Sequence, residues 1–173
     1  MDPIGHLEWT LGIGLALCAI FHVPLDALSF LLMGIGSDFP DLFDWVLYHG
    51  KNFQAGHREI SHTFFFIGTL VIISYFVPVI GFLTFGSIMH ILEDILAGRD
   101  PIYLFSPLTH KGSIRLLSID QTTAIGGRVR NIIKGSYIGS ENIGDELSWL
   151  WLLTIVGSWI FVMGIFMYFG LSV

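Results

Sequence analysis

Residues 63–96 read TFFFIGTLVIISYFVPVIGFLTFGSIMHILEDIL, a run of 34 positions whose first charged residue is Glu93. As one helix at about 1.5 Å per residue this run would be ~50 Å long, far beyond a hydrocarbon core of roughly 30 Å. It is therefore read as two short helices folded back on each other. Val77-Pro78-Val79 stands near its centre, and proline both lacks the amide donor and pushes its predecessor out of helical geometry. The first apolar run, 7–36, carries a similar break at His22-Val23-Pro24, followed by Asp26, a carboxylate that would be costly at mid-bilayer. It splits in the same way.

The last apolar run, 147–171, has the length of one span. The reading is an all-α integral membrane protein of five helices, over 6–21, 25–36, 62–77, 79–97 and 146–171. Two short helical hairpins are followed by a C-terminal transmembrane helix, all in a single membrane domain over 1–173. The connection 98–145 forms a long loop within it, where 102–105 and 114–117 alternate as short strands that could pair.

Composition supports the membrane assignment: 53% of the 173 residues are hydrophobic and 13% charged, with mean hydropathy +0.73. The front of the first run carries Asp2 and Glu8 and no Lys or Arg, so it lacks the basic front of a secretory signal and is read as a retained segment. Cys18 is the single cysteine, which leaves no intrachain disulfide. A net charge of -6 offers no footprint for nucleic acid.

All eight basic residues fall in two connections, Lys51 and Arg58 in one, and Arg99, Lys111, Arg115, Arg128, Arg130 and Lys134 in the other. In a five-helix topology both lie on one side. The positive-inside rule makes that side cytoplasmic, placing the N-terminus inside and the C-terminus outside a plasma (inner) membrane. Arg128, Arg130 and Lys134 are read first as positive-inside charge and second as an attraction for anionic headgroups.

Ionisable side chains next to membrane helices are costly and mark function or mutual satisfaction. His90 and Asp94 stand four apart on one helical face, where they could share a cation or make a structural hydrogen bond. His57-Arg58-Glu59-Ile60-Ser61-His62 enters the next apolar helix, with Ser61 as the expected N-cap and His62 in the first turn. Arg58 could answer a phosphate oxygen with its planar fork or snorkel at the interface. Asp38, Asp41 and Asp44 crowd within seven residues around Pro40, and they repel one another unless a cation or protons intervene. Asp44 is expected to face water, and the whole cluster could equally be capping and solvated loop.

His6, Asp38, Asp41, His57, His62, His90 and Asp94 all fall on the cytoplasmic side, although the charge rule used only Lys and Arg. These seven are the candidate metal ligands. His22 and Asp26 land on the opposite face and are excluded, and His49 and His110 are left as surface histidines.

With these segments in hand the sequence resembles the YdjM-like family of membrane-bound metal-dependent hydrolases, itself distantly similar to zinc-dependent phospholipase C and P1-type nucleases. The resemblance is carried by His6, by Ser37-Asp38-Phe39-Pro40-Asp41, by His57-Arg58-x-x-Ser61-His62-Thr63, and by His90-x-x-x-Asp94 with Pro-Ile-Tyr-Leu-Phe-Ser-Pro at 101–107. It covers residues 6 to about 107. The family's acidic segment reads Pro-Asp-x-Asp, whereas the second aspartate here is Asp44, and Glu59 replaces the Gly that follows His-Arg.

The resemblance implies hydrolysis of a phosphoester, such as that of a phospholipid or isoprenoid phosphate, by water bound to a divalent metal. Mixed His and Asp ligation puts zinc first, with manganese or magnesium as alternatives. Asp41 or Glu59, or Asp38, would orient the water or take its proton, and Arg58 would meet the phosphate. Membrane lipid is then both environment and substrate. A non-catalytic protein using the cluster for packing or partner recruitment is the alternative. A metal-ion transporter is disfavoured because the ligands collect at one face.

Overall fold

The computed structural model describes residues 3–48, 60–97, 102–106 and 145–170. Among them are six helices and no strand: α1 Pro3–Ile20, α2 Ala27–Gly36, α3 Phe39–Leu47, α4 Phe64–Phe76, α5 Ile80–Ala97 and α6 Asp145–Gly170. The five expected helices are present, and both breaks fall where proline placed them. After α1 the chain turns through His22 at φ 53°, and Asp26 then caps α2 by accepting from Ser29 N at 2.7 Å. Between α4 and α5 the turn at Pro78 is closed by Ile80 N donating to Val77 O and Gly81 N to Pro78 O, both at 2.9 Å.

The acidic segment around Pro40, for which solvated loop was one expectation, forms the helix α3. Pro40 sits in its first turn, where a missing amide costs nothing, and Asp41 places negative charge at the amino end. Residues 102–105 were expected as a strand, but Ile102 and Leu104 pack on Ile91 as a small buried cluster, with Phe64 N donating to Leu104 O at 2.9 Å. The stretch 114–117 lies outside the described residues, as does most of the 98–145 loop.

α1 and α6 run parallel in close contact. Trp9 Nε1 donates to Leu153 O at 2.8 Å and Ser158 Oγ to Glu8 Oε2 at 3.0 Å. Toward the other end Leu25 N donates to Tyr168 Oη at 3.0 Å. α2 lies along α5 and α4 pairs with α5.

The distribution of polarity is inverted relative to a water-soluble domain. The most buried side chains include His6, His62, His90, Asp44 and Asp94, whereas Phe21, Tyr75, Phe76, Trp159 and Phe166 are exposed. Such an apolar exterior matches lipid as solvent. Pro3–Ile20 and Leu152–Gly170 are long and apolar enough to cross a membrane.

Candidate metal centre

The centre forms where four helix ends meet, and two glycines bring them there. A Cβ on Gly86 would lie 2.4 Å from Met33 O, and one on Gly36 2.4 Å from Leu83 O, so α2 and α5 cross backbone to backbone only because neither residue has a side chain. This crossing puts Ser37, the residue after α2, against His90, one turn beyond Gly86. His90 Nδ1 donates to Ser37 O at 2.5 Å. A carbonyl can only accept, so Nδ1 of a neutral His90 carries the proton and Nε2 presents its lone pair to the centre.

Asp94 follows His90 by one turn of α5, Asp41 comes from the first turn of α3, and His62 immediately precedes α4. The N-cap of α4 is Thr63, whose hydroxyl accepts from Phe66 N at 3.2 Å. Ser61, the expected cap, is instead buried with Oγ 2.7 Å from His62 Nδ1. On the same side of that ring Asp44 Oδ2 lies 3.7 Å away, a surrounding that favours the proton on Nδ1. Phe39 and Phe43 pack on Phe66 at centroid distances of 5.9 and 5.0 Å, which holds α3 against the start of α4.

Asp41, His62, His90 and Asp94 each offer one donor atom, all within 4.8 Å of one another, and together could hold a metal ion. His62 Nε2 is 3.2 Å from His90 Nε2, 3.4 Å from Asp41 Oδ1 and 3.5 Å from Asp94 Oδ2. His90 Nε2 is 3.3 Å from Asp41 Oδ1 and 3.7 Å from Asp94 Oδ2. Burial opposes ionisation of Asp41, but in the ion-free centre a protonated His90, through its hydrogen bond and its charge, with the charge of His62 adding, holds the Asp41 carboxyl below the usual range.

His6, expected among the ligands, lies next to this four-donor group and not within it. Its Nδ1 is 2.7 Å from Glu93 Oε2 and its Nε2 3.4 Å from Asp94 Oδ1, while its ring stacks on His90 at 4.1 Å. Thr10 Oγ1 donates to Glu93 Oε1 at 3.4 Å. Both ring nitrogens of His6 thus face carboxylates, and the outer oxygen of Asp94 is held so that Oδ2 turns to the centre. Asp38 also stays outside the four-donor group; burial pushes its carboxyl up, His90 opposes that and Asp41 adds to it.

Asp44 does not face water: it is fully buried on the inner side of α3. Its spacing three beyond Asp41 on a helix would have signalled this, had α3 been recognised. Glu93 went unassigned because it adjoins Asp94 in sequence, and only the packing of α1 on α5 shows its use. His57, Arg58 and Glu59, with His49 and His110, lie outside the described residues. At the far end His22 is exposed and Asp26 caps α2, consistent with their exclusion.

A family model described as YdjM inner membrane protein matches residues 1–169 of the chain. No curated protein matches, and no solved structure matches.

Proposed function

The chain belongs to the YdjM inner membrane protein family, and from that premise we propose that it is a membrane-embedded metal-dependent hydrolase cleaving a phosphoester of a lipid or isoprenoid substrate at the cytoplasmic face. The observation that carries the reading is the four-donor group. A regular tetrahedron around an ion with ligands at about 2.0–2.2 Å has edges of about 3.3–3.6 Å. Five of the six donor–donor distances, 3.2–3.7 Å, lie close to that scale, and the sixth, between Asp41 and Asp94, falls within 4.8 Å. An octahedral magnesium site at ~2.0–2.1 Å would need adjacent donors about 2.9 Å apart. Together with the mixed imidazole and carboxylate donors, this spacing supports zinc as the ion, manganese or magnesium being the alternatives.

A zinc ion bound there would lower the pKa of water from ~15.7 to about 7 and polarise a phosphoryl oxygen. The residues divide the remaining work. His62, His90 and Asp94 fix the position at which the scissile group reacts, with Ser37, Ser61 and His6 fixing their orientation in turn. Asp41, the donor whose side chain is 40% exposed, would stand on the side that substrate approaches, and Arg58 and Glu59 are assigned the phosphate and the transferred proton. The lipid assignment is supported by α3, which turns Asp41 and Asp44 inward and leaves Leu42, Trp45 and Val46 exposed on its outer side. An apolar outer face beside the centre is suited to the headgroup boundary. The cytoplasmic assignment follows from the eight basic residues on the connections at that end.

The test is a panel of phospholipids and isoprenoid phosphates presented in detergent to the zinc-loaded chain. Release of phosphate or headgroup by wild type, abolished by chelation and in His90→Ala, is expected; absence of turnover across the panel in metal-loaded protein would overturn the enzymatic reading. A second reading has an observation of its own: four protein donors make a closed set, the arrangement of structural zinc sites. In that case the ion would only tie α3, α4 and α5 together, and metal-loaded protein would be stabilised without turning over any ester.

A further inference from the structure

We propose that Glu93 is a positioning residue of the metal centre: by holding His6 it fixes the imidazole that in turn sets Asp94 and His90, and it does so without touching the ion. The inference rests on the metal-binding reading of the four-donor group. It adds to that group a support two residues deep, running from α5 through α1 and back to α5.

Glu93 and Asp94 are consecutive on α5, so their side chains leave the helix about 100° apart. Asp94 shares a face with His90 and turns to the centre, and Glu93 is carried round toward α1. It is only 3% exposed there. A carboxylate buried in a membrane helix is costly and is retained for what it binds. Both of its oxygens are engaged by α1: Oε2 lies 2.7 Å from His6 Nδ1, and Oε1 accepts from Thr10 Oγ1 at 3.4 Å. Thr10 stands four residues after His6, so one face of α1 grips the carboxylate at two points. Glu93 itself is outside the four-donor group.

Its effect on the centre passes through one ring. A carboxylate oxygen against Nδ1 fixes the rotation of the His6 imidazole, whichever ring nitrogen carries the proton. With the ring so held, Nε2 stands 3.4 Å from Asp94 Oδ1, and the ring plane stacks on His90 at a centroid distance of 4.1 Å. A His6 ring released from Glu93 would give up both contacts, and two of the four donors would relax together. What this role demands of residue 93 is reach. Glutamine keeps the length and an oxygen, whereas aspartate keeps the charge and is one methylene too short.

The experiment titrates the full chain in detergent with Co(II), whose visible absorption reports coordination, and follows thermal unfolding of metal-free protein in parallel. Glu93→Ala and Glu93→Asp are expected to lower cobalt affinity by ~10–100-fold, and Glu93→Gln to stay near wild type, all with the wild-type spectrum at saturation. The double variant His6→Ala, Glu93→Ala should bind no more weakly than His6→Ala alone, because residues acting as one unit do not add. Losses that multiply in the double variant would show that Glu93 acts independently of His6 and overturn the proposal. Rescue by Glu93→Asp and not by Glu93→Gln would make charge the requirement and overturn it too. A Glu93→Ala variant that unfolds at lower temperature yet binds cobalt like wild type would reduce Glu93 to a structural contact. A changed spectrum in Glu93→Gln would place Glu93 on the ion and contradict the assignment. If Glu93→Ala does not fold, the contrast between the Gln and Asp variants carries the same test. Failure of wild type itself to bind cobalt or zinc would instead remove the metal reading, and the proposal with it.

Discussion

The Nε2 atoms of His62 and His90 lie 3.2 Å apart, brought together from residues 28 positions distant in sequence, while the Nδ1 side of each ring is engaged by a polar partner. Paired lone pairs at this separation repel unless a proton or a cation lies between them. The surrounding carboxylates of Asp41 and Asp94 supply the negative charge that a divalent ion would balance.

The glycine crossing should control the site from a distance. Gly86→Ala pushes a Cβ into Met33 O and Gly36 Cα, and we expect a loss of ~1–3 kcal/mol in stability with weakened metal binding, because Ser37 O moves away from His90. Gly81→Ala, on the same helix with nothing within 4 Å of the added atom, should leave metal binding at the wild-type level. Thermal unfolding and metal titration of the two variants check this.

His6 should behave as an orienting residue rather than a ligand. His6→Ala is expected to lower metal affinity by ~10–100-fold, while His6→Gln, which keeps a donor toward Asp94 Oδ1, recovers part of the loss. The Co(II) spectrum of His6→Gln should match wild type. A changed coordination signature would place His6 on the metal.

The outer side of α3 should matter only for substrate held in a bilayer. Trp45→Glu and Val46→Lys alter exposed positions and are expected to reduce turnover of long-chain lipid in vesicles several-fold. Hydrolysis of a water-soluble short-chain phosphoester should be unaffected. Equal loss on both substrates would show that the face serves folding instead.

Much of this architecture is legible in the sequence because bilayer thickness is a hard limit. Two apolar runs too long for one span had to break, and Pro24 and Pro78 mark the places. The resulting topology places His62, His90, Asp41 and Asp94 at one end, together with His6, Asp38 and His57. What escaped was short or depended on contacts far apart in the chain. Nine residues of α3, carrying Pro40, Asp41 and Asp44 directly after Asp38, resemble capping and solvated loop in the sequence, so the inward side of Asp44 is not evident there. Ser61 is the better cap by residue type, but its hydroxyl meets the buried ring of His62 and Thr63 caps the helix instead. The pairing of His6 with Glu93 spans 87 positions and follows from how α1 lies on α5, which no local pattern encodes.

The central claim is that Asp41, His62, His90 and Asp94 together bind a divalent metal ion, and metal content measures it most directly. Full-length protein, exposed to zinc in detergent and then freed of unbound metal by gel filtration, should retain about one equivalent. His62→Ala, His90→Ala and Asp94→Ala should each retain far less under the same treatment while eluting as folded protein. Equal zinc in wild type and in all three variants would contradict the account.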